Sequence, residues 1–228
     1  MSTLLLTLLL TLTPQSLAGK KVEIPAANWY ITDANKAALS EANSLLAQKK
    51  FAEAVVAYEA LLVKEPECGV VLVGAARAHM GKAEPAAAVP QLQKATSLFG
   101  DKPDVWVTYG QSLLAVQNYP DAVMAARKAL ELRPTNADAL WVAQQGLVAV
   151  KDYAGAHTML GEARTRGWLP VIDCMDGMVY AREGNRPKAV EMQATCRDFR
   201  PWSDQLAEAV NALPAPAVPT AGTTPPTP

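Results

Sequence analysis

Histidine and cysteine are scarce in this chain: His79 and His157 are its two histidines, and Cys68, Cys174 and Cys196 its three cysteines, among 228 residues. They are scattered, with no CxxC, HxxxH or other close ligand spacing, which excludes a structural zinc site and leaves no metal to expect. The Gly-rich phosphate loop, the GxSxG elbow and the HExxH helix are also missing, and neither histidine stands beside a nucleophile in sequence. No cofactor and no catalysis are therefore expected. An excess of either charge is lacking too: 21 Lys and Arg face 22 Asp and Glu, and the pI is near 6.1. Nothing in that balance steers the chain toward nucleic acid or an acidic membrane. What is plentiful is apolar residue type, at 50% against 19% charged, enough for a packed core and incompatible with disorder throughout.

The two ends differ from the middle. Residues Leu4 to Leu12 form a short apolar run, far below the roughly 20 residues that cross a bilayer. Ser16 and Ala18 follow at the −3 and −1 positions of a cut after Ala18. Residues 1–18 read as a signal peptide and the protein as exported, either periplasmic or secreted. The run is not preceded by Lys or Arg, a departure from the usual pattern. With no cysteine following the cut, lipid attachment has no residue to use, and once the signal is removed no integral membrane segment is expected. Residues 19–34, with Trp29-Tyr30-Ile31, either pack as an N-terminal extension over the first unit or stay loose. From Pro214 to Pro228 the chain is Pro, Thr and Ala with almost nothing bulky, so 214–228 reads as a disordered tail.

Between these ends small residues recur at a fixed stride. Ala54, Ala88, Ala122, Ala156 and Ala189 lie at intervals of 34, 34, 34 and 33. Ala42, Ala76, Gly110, Gln144 and Gly177 repeat those intervals twelve residues earlier, and Leu61, Ala95, Ala129, Ala163 and Cys196 seven residues later. Side chains no larger than Ala let two helix axes approach closely, and bulkier neighbours such as Leu113 and Tyr119 fill the gaps beside them with helical periodicity. Asn118-Tyr119-Pro120 and Asn185-Arg186-Pro187 read as helix starts, the Asn side chain capping free N–H groups and Pro sitting in the first turn. Pro66, Pro134 and Pro201 read as stops for second helices. Pro90 predicts a kink or a late start in the second unit.

These residues resemble the tetratricopeptide repeat, a 34-residue antiparallel helix pair. In the third unit Trp106, Gly110, Leu113, Tyr119, Ala122, Ala129 and Pro134 stand at that family's signature positions. The resemblance implies an all-α, right-handed superhelical solenoid over about residues 35–201, in five units: 35–68, 69–102, 103–136, 137–169 and 170–203. Residues 202–213, with Trp202, Leu206, Ala209, Val210 and Leu213 on one face, read as a C-terminal capping helix. The fifth unit carries Asp173, Arg186 and Gln193 at normally apolar sites, so its outer face is expected to be less buried.

The resemblance also implies a protein or peptide partner held on a concave wall made of the first helices. Carrying over the family's groove positions gives Leu39, Asn43, Val73, Arg77, Met80, Val107, Gln111, Leu114, Trp141, Gln145, Val148 and Met178. The Lys and Asn clamp of chaperone-binding members is absent. The wall suits an apolar or amphipathic segment, with Trp141 as anchor. In an oxidising compartment Cys174 and Cys196 can approach across the fifth hairpin and bridge, leaving Cys68 unpaired; otherwise all three are small buried hydrophobes. His79 is expected in the core, His157 on a helix surface, and Asp173 and Asp176 as solvated charges. The expected function is a non-catalytic interaction scaffold of the cell envelope. The alternatives are a structural or oligomerisation module and an accessory subunit of an envelope enzyme complex. N-terminal sequencing of the mature protein is expected to start at Gly19; a cytosolic product starting at Met1 would remove the export reading.

Overall fold

The computed structural model describes residues 27–167 and 169–214. The expected signal peptide, residues 19–26 and the tail beyond Pro214 lie outside the described residues. Among the described residues eleven α-helices follow a short 3-10 turn at Asp33–Asn35. They pair as α1 (Lys36–Ala47) with α2 (Phe51–Lys64), α3 (Gly69–Gly81) with α4 (Pro85–Leu98), and α5 (Pro103–Ala115) with α6 (Tyr119–Leu132). Then come α7 (Ala137–Ala149) with α8 (Tyr153–Arg164), α9 (Leu169–Glu183) with α10 (Arg186–Thr195), and the single α11 (Trp202–Asn211). Each second helix also packs on the next first helix, and successive first helices touch from α1 through α9. The result is an all-α repeat solenoid.

The small-residue stride is the seam of this stack. Ala54, Ala88, Ala122, Ala156 and Ala189 are wholly buried. At Gly110 an added Cβ would sit 2.8 Å from Val142 Cγ1, and at Gly177 one would sit 2.7 Å from Leu206 Cδ2. Both are closer than packed atoms tolerate, so glycine is required there.

The turn inside every hairpin repeats with the same stride. Lys49, Ala83, Gln117, Lys151 and Gly184 all have positive φ, between 60° and 88°. In the first hairpin Lys49 N donates to Leu46 O (3.0 Å) and Lys50 N to Leu45 O (2.9 Å). The equivalent pair closes each of the other four, which is the Schellman arrangement that satisfies the last carbonyls of a helix. Second helices then begin at once. Asp152 caps Gly155 N (2.9 Å) and Asn185 caps Lys188 N (3.4 Å). Asn118, expected to cap with its side chain, instead donates Nδ2 to Asp121 Oδ2 at 2.8 Å, because that carboxylate offers a stronger acceptor one turn on.

Two proline expectations are corrected. Helix α4 starts at Pro85, in register with Phe51 and Tyr119, and runs unbroken through the exposed Pro90. Pro85 sits at the first helical position, where a missing N–H costs nothing. Pro66 and Pro134 do follow the ends of α2 and α6, but α10 already stops at Thr195, and Pro201 is the N-cap of α11.

The two ends of the stack are finished differently, since a strap ties the edge of the first two units at the front and a helix covers the back. At the front, Gly69 N donates to Asn28 O (2.9 Å) and Val70 N to Trp29 O (3.0 Å). The Trp29 ring meets Phe99 edge-on, with centroids 5.3 Å apart. The buried Glu65 carboxylate accepts hydrogen bonds from the Thr32 amide and hydroxyl and from Asn35 Nδ2 (2.7 Å). Burial pushes its pKa up, yet these donors outweigh it and hold the group below its ordinary value. Residues 28–35 thus form a strap over the first two units. At the back, α11 lies on α9 and α10, where the first helix of a sixth unit would stand, with Leu206 and Val210 buried. Arg186, expected as a misfit in an apolar site, donates Nη1 to Val210 O (3.0 Å) and Leu213 O (2.7 Å). It therefore neutralises the carbonyl end of α11. Under this cover Ile172, Met175 and Val179 of α9 are fully buried, while α10 buries only Ala189 and leaves most of its residues at the surface, in line with the less buried outer face expected of the fifth unit.

The left-handed turn position separates two substitutions of opposite sign. Gly184→Ala should lower stability by about 1 kcal/mol, and Ala83→Gly should leave it unchanged or raise it by up to about 1 kcal/mol, read by urea unfolding.

Candidate functional site

The first helices α3, α5, α7 and α9 form one wall, and two hollows open along it. The first, about 620 Å³, is bounded by Met80 from α3, Gln111 and Leu114 from α5, Tyr119 at the start of α6, and Trp141 and Gln145 from α7. The second, about 590 Å³, lies between α7, α9 and α11, with Gln144, Gln145 and Val148 facing Arg182, Gln205 and Glu208 over an apolar floor that includes Met178 and Leu213. Gln145 borders both.

The residues expected on this wall separate into three sets. Met80, Gln111, Leu114, Trp141, Gln145 and Val148 line hollows. Val73 and Val107 are 6% exposed, because they seal the seams between neighbouring helices and offer little surface to a ligand, and Met178, 8% exposed, adds only a small area to the floor of the second hollow. Leu39, Asn43 and Arg77 line neither hollow. Leu39 packs against the core of the first hairpin around Ala42, Ala54 and Tyr58, Asn43 Oδ1 accepts from Tyr58 Oη (2.5 Å), and Arg77 Nη2 donates to Thr108 Oγ1 (3.4 Å). The contribution of α11 escapes a residue-type reading. Gln205 and Glu208 were legible as the polar face of an amphipathic helix, but where that face points depends on how α11 docks.

Of the polar side chains singled out in the sequence, His79 lies in the core as expected, and His157, Asp173 and Asp176 depart from their expected places. His79 is buried, with Nδ1 3.2 Å from Glu84 Oε2 and Nε2 3.5 Å from Glu59 Oε1. His157, expected on the surface, is largely covered: its ring stacks on Tyr180 at 4.1 Å, and Nδ1 lies 2.5 Å from Asp176 Oδ1. Asp173 and Asp176 are not solvated charges. Arg164 Nη2 reaches Asp173 Oδ1 (2.7 Å) and Asp176 Oδ2 (3.2 Å), so one guanidinium bridges both carboxylates in the α8–α9 interface. The cause is tertiary: the 34-residue stride brings the end of α8 against the start of α9, which no local spacing reveals.

Cys174 and Cys196 are joined by a disulfide with a Cα separation of 5.1 Å. Cys68 is free and buried, and burial pushes its thiol pKa up, which leaves it a poor nucleophile.

Known proteins share this arrangement of helices. Residues 39–103 and 73–137 each match the family model described as "Tetratricopeptide repeat". The matched span, residues 39–137, is similar to tetratricopeptide repeats. No curated protein matches the sequence. Among solved structures, MamA aligns with a TM-score of 0.61 at 17% identity over 78% of this chain and 99% of that one. A thermophilic tetratricopeptide-repeat protein of Thermus thermophilus aligns at 0.62 and 14% identity, over 78% and 99% of the two chains. YrrB, described as having an unusual peptide-binding site, aligns at 0.57 and 19% identity, over 75% and 90%. At these identities the likeness establishes the fold. The same stacking of helix pairs extends beyond the matched segment to the fifth hairpin. Among the described residues no helix is long and apolar enough to cross a membrane.

The disulfide closes a separation of 22 residues within the fifth unit. Cys196→Ala should reduce stability by about 3 kcal/mol in denaturant unfolding, the loss expected for opening a loop of that length.

Proposed function

We propose that this protein is a non-catalytic scaffold, exported to the periplasm or the cell exterior, that holds an apolar or amphipathic segment of a partner protein against its concave wall. The observation that carries this reading is the hollow at Trp141. An indole, Met80 and Leu114 provide apolar area there, while Gln111 and Gln145 add amides that orient a ligand. The described parts of the chain's own two ends do not line this hollow, whereas the second hollow is bordered by α11. The fold of YrrB, a protein with a peptide-binding site, supports the same use of the wall.

The export half of the proposal rests on Leu4–Leu12 and the small residues up to Ala18. The Cys174–Cys196 bridge supports it, because disulfides persist in oxidising compartments and are rare in the cytosol.

Partners captured by the wild-type chain from envelope extract and identified by cross-linking should bind the Trp141→Ala variant at least tenfold more weakly, with the helical signal unchanged. Removing a central aromatic anchor commonly costs about 2 kcal/mol or more, roughly a thirtyfold effect. Equal capture by both forms would argue against the wall as the docking surface.

A further inference from the structure

Gln144 breaks the rule that builds the rest of the stack. Its register position holds Ala42, Ala76, Gly110 and Gly177 in the other units, all small enough for close helix approach. Gln144 is only 2% exposed, so a long polar side chain has been enclosed where a methyl group or a hydrogen suffices. Its Nε2 donates weakly to Met175 O at 3.5 Å. Its Oε1 is buried without a hydrogen-bond partner among the described residues. An enclosed acceptor left unpaired is destabilising, and a purely structural role would be served better by Ala.

The same side chain lines the hollow between α7, α9 and α11, together with Gln145 and Gln205. Three primary amides in one cavity present alternating N–H and C=O groups, the complement of an extended main chain. The ionic groups of this hollow, Arg182 and Glu208, carry opposite signs and form no ion pair among the described residues. The site therefore favours a neutral ligand over one of either net charge. A helical segment would satisfy its own main-chain N–H groups and leave Gln144 without a donor; an extended segment has donors to spare.

We infer that this hollow is a backbone-reading subsite in which the Gln144 carboxamide, held inward only by its weak bond to Met175 O, turns its Oε1 into the cavity to accept a main-chain N–H from an extended partner segment, while an apolar side chain of that segment occupies the adjoining Trp141 hollow. The inference rests on the proposed groove function and adds to it the conformation of the ligand and the residue that reads it. Gln145, bordering both hollows, would be the hinge of the contact.

Random dodecapeptides displayed on phage and panned against the full chain provide the probe, and a selected peptide is then titrated calorimetrically. Gln144→Ala should weaken it about tenfold while melting no lower than wild type, since Ala42 and Ala76 already occupy that register. N-methylation at one backbone position should cost a similar factor, and should cost nothing further in the Gln144→Ala variant. A peptide weakened by Trp141→Ala but indifferent to Gln144→Ala, or one that binds equally well when stapled into a helix, overturns the subsite and leaves the groove function standing. Failure to select any peptide, or peptides indifferent to both variants, overturns both.

Discussion

The close approach of helix pairs at Ala and Gly is the contact on which the rest of this molecule depends. Wherever Ala54, Ala88, Ala122, Ala156 or Ala189 faces a neighbouring helix, no side chain holds the axes apart, and all five are completely buried. That spacing, repeated with one stride, stacks the first helices side by side and so creates a continuous wall. Gly177 shows how tight the tolerance is: its missing Cβ leaves the space that Leu206 of α11 fills, and this lets a helix outside the repeats extend the wall.

Much of this architecture was legible in the sequence because the stride is a one-dimensional signal. The five hairpins and the amphipathic character of residues 202–213 follow from small residues, apolar periodicity and Asn-X-Pro starts. The hairpin turns were not legible in the same way. Four of their five left-handed positions are Lys49, Ala83, Gln117 and Lys151, where composition gives no warning and tertiary packing imposes the conformation. Pro90 does not delay the start of α4, because it lies a turn past Pro85 on the solvent face, where water can replace the lost hydrogen bond.

The wall was legible by register but not by availability. Residues at equivalent positions meet different fates: Trp141 opens onto a hollow, while Val73 and Val107 close the seams beside it. Side-chain size decides, since a valine fits inside the seam and an indole does not. The Arg164, Asp173, Asp176 and His157 cluster was invisible for a different reason. Its members come from two units, and their pairing exists only once α8 and α9 have docked. Isolated charges on a sequence read as solvated because most are.

The strap at the front of the stack has a mechanical consequence. Asn28 and Trp29 are bonded to Gly69 and Val70 of the second hairpin, and the first hairpin is the stretch of chain between those two points. Tension on the amino end is therefore delivered past the outermost hairpin to the one behind it, through a pair of backbone bonds that must shear together. End hairpins of helical stacks ordinarily fray first; here the outermost one is clasped in a loop and cannot peel away until that clasp has slipped.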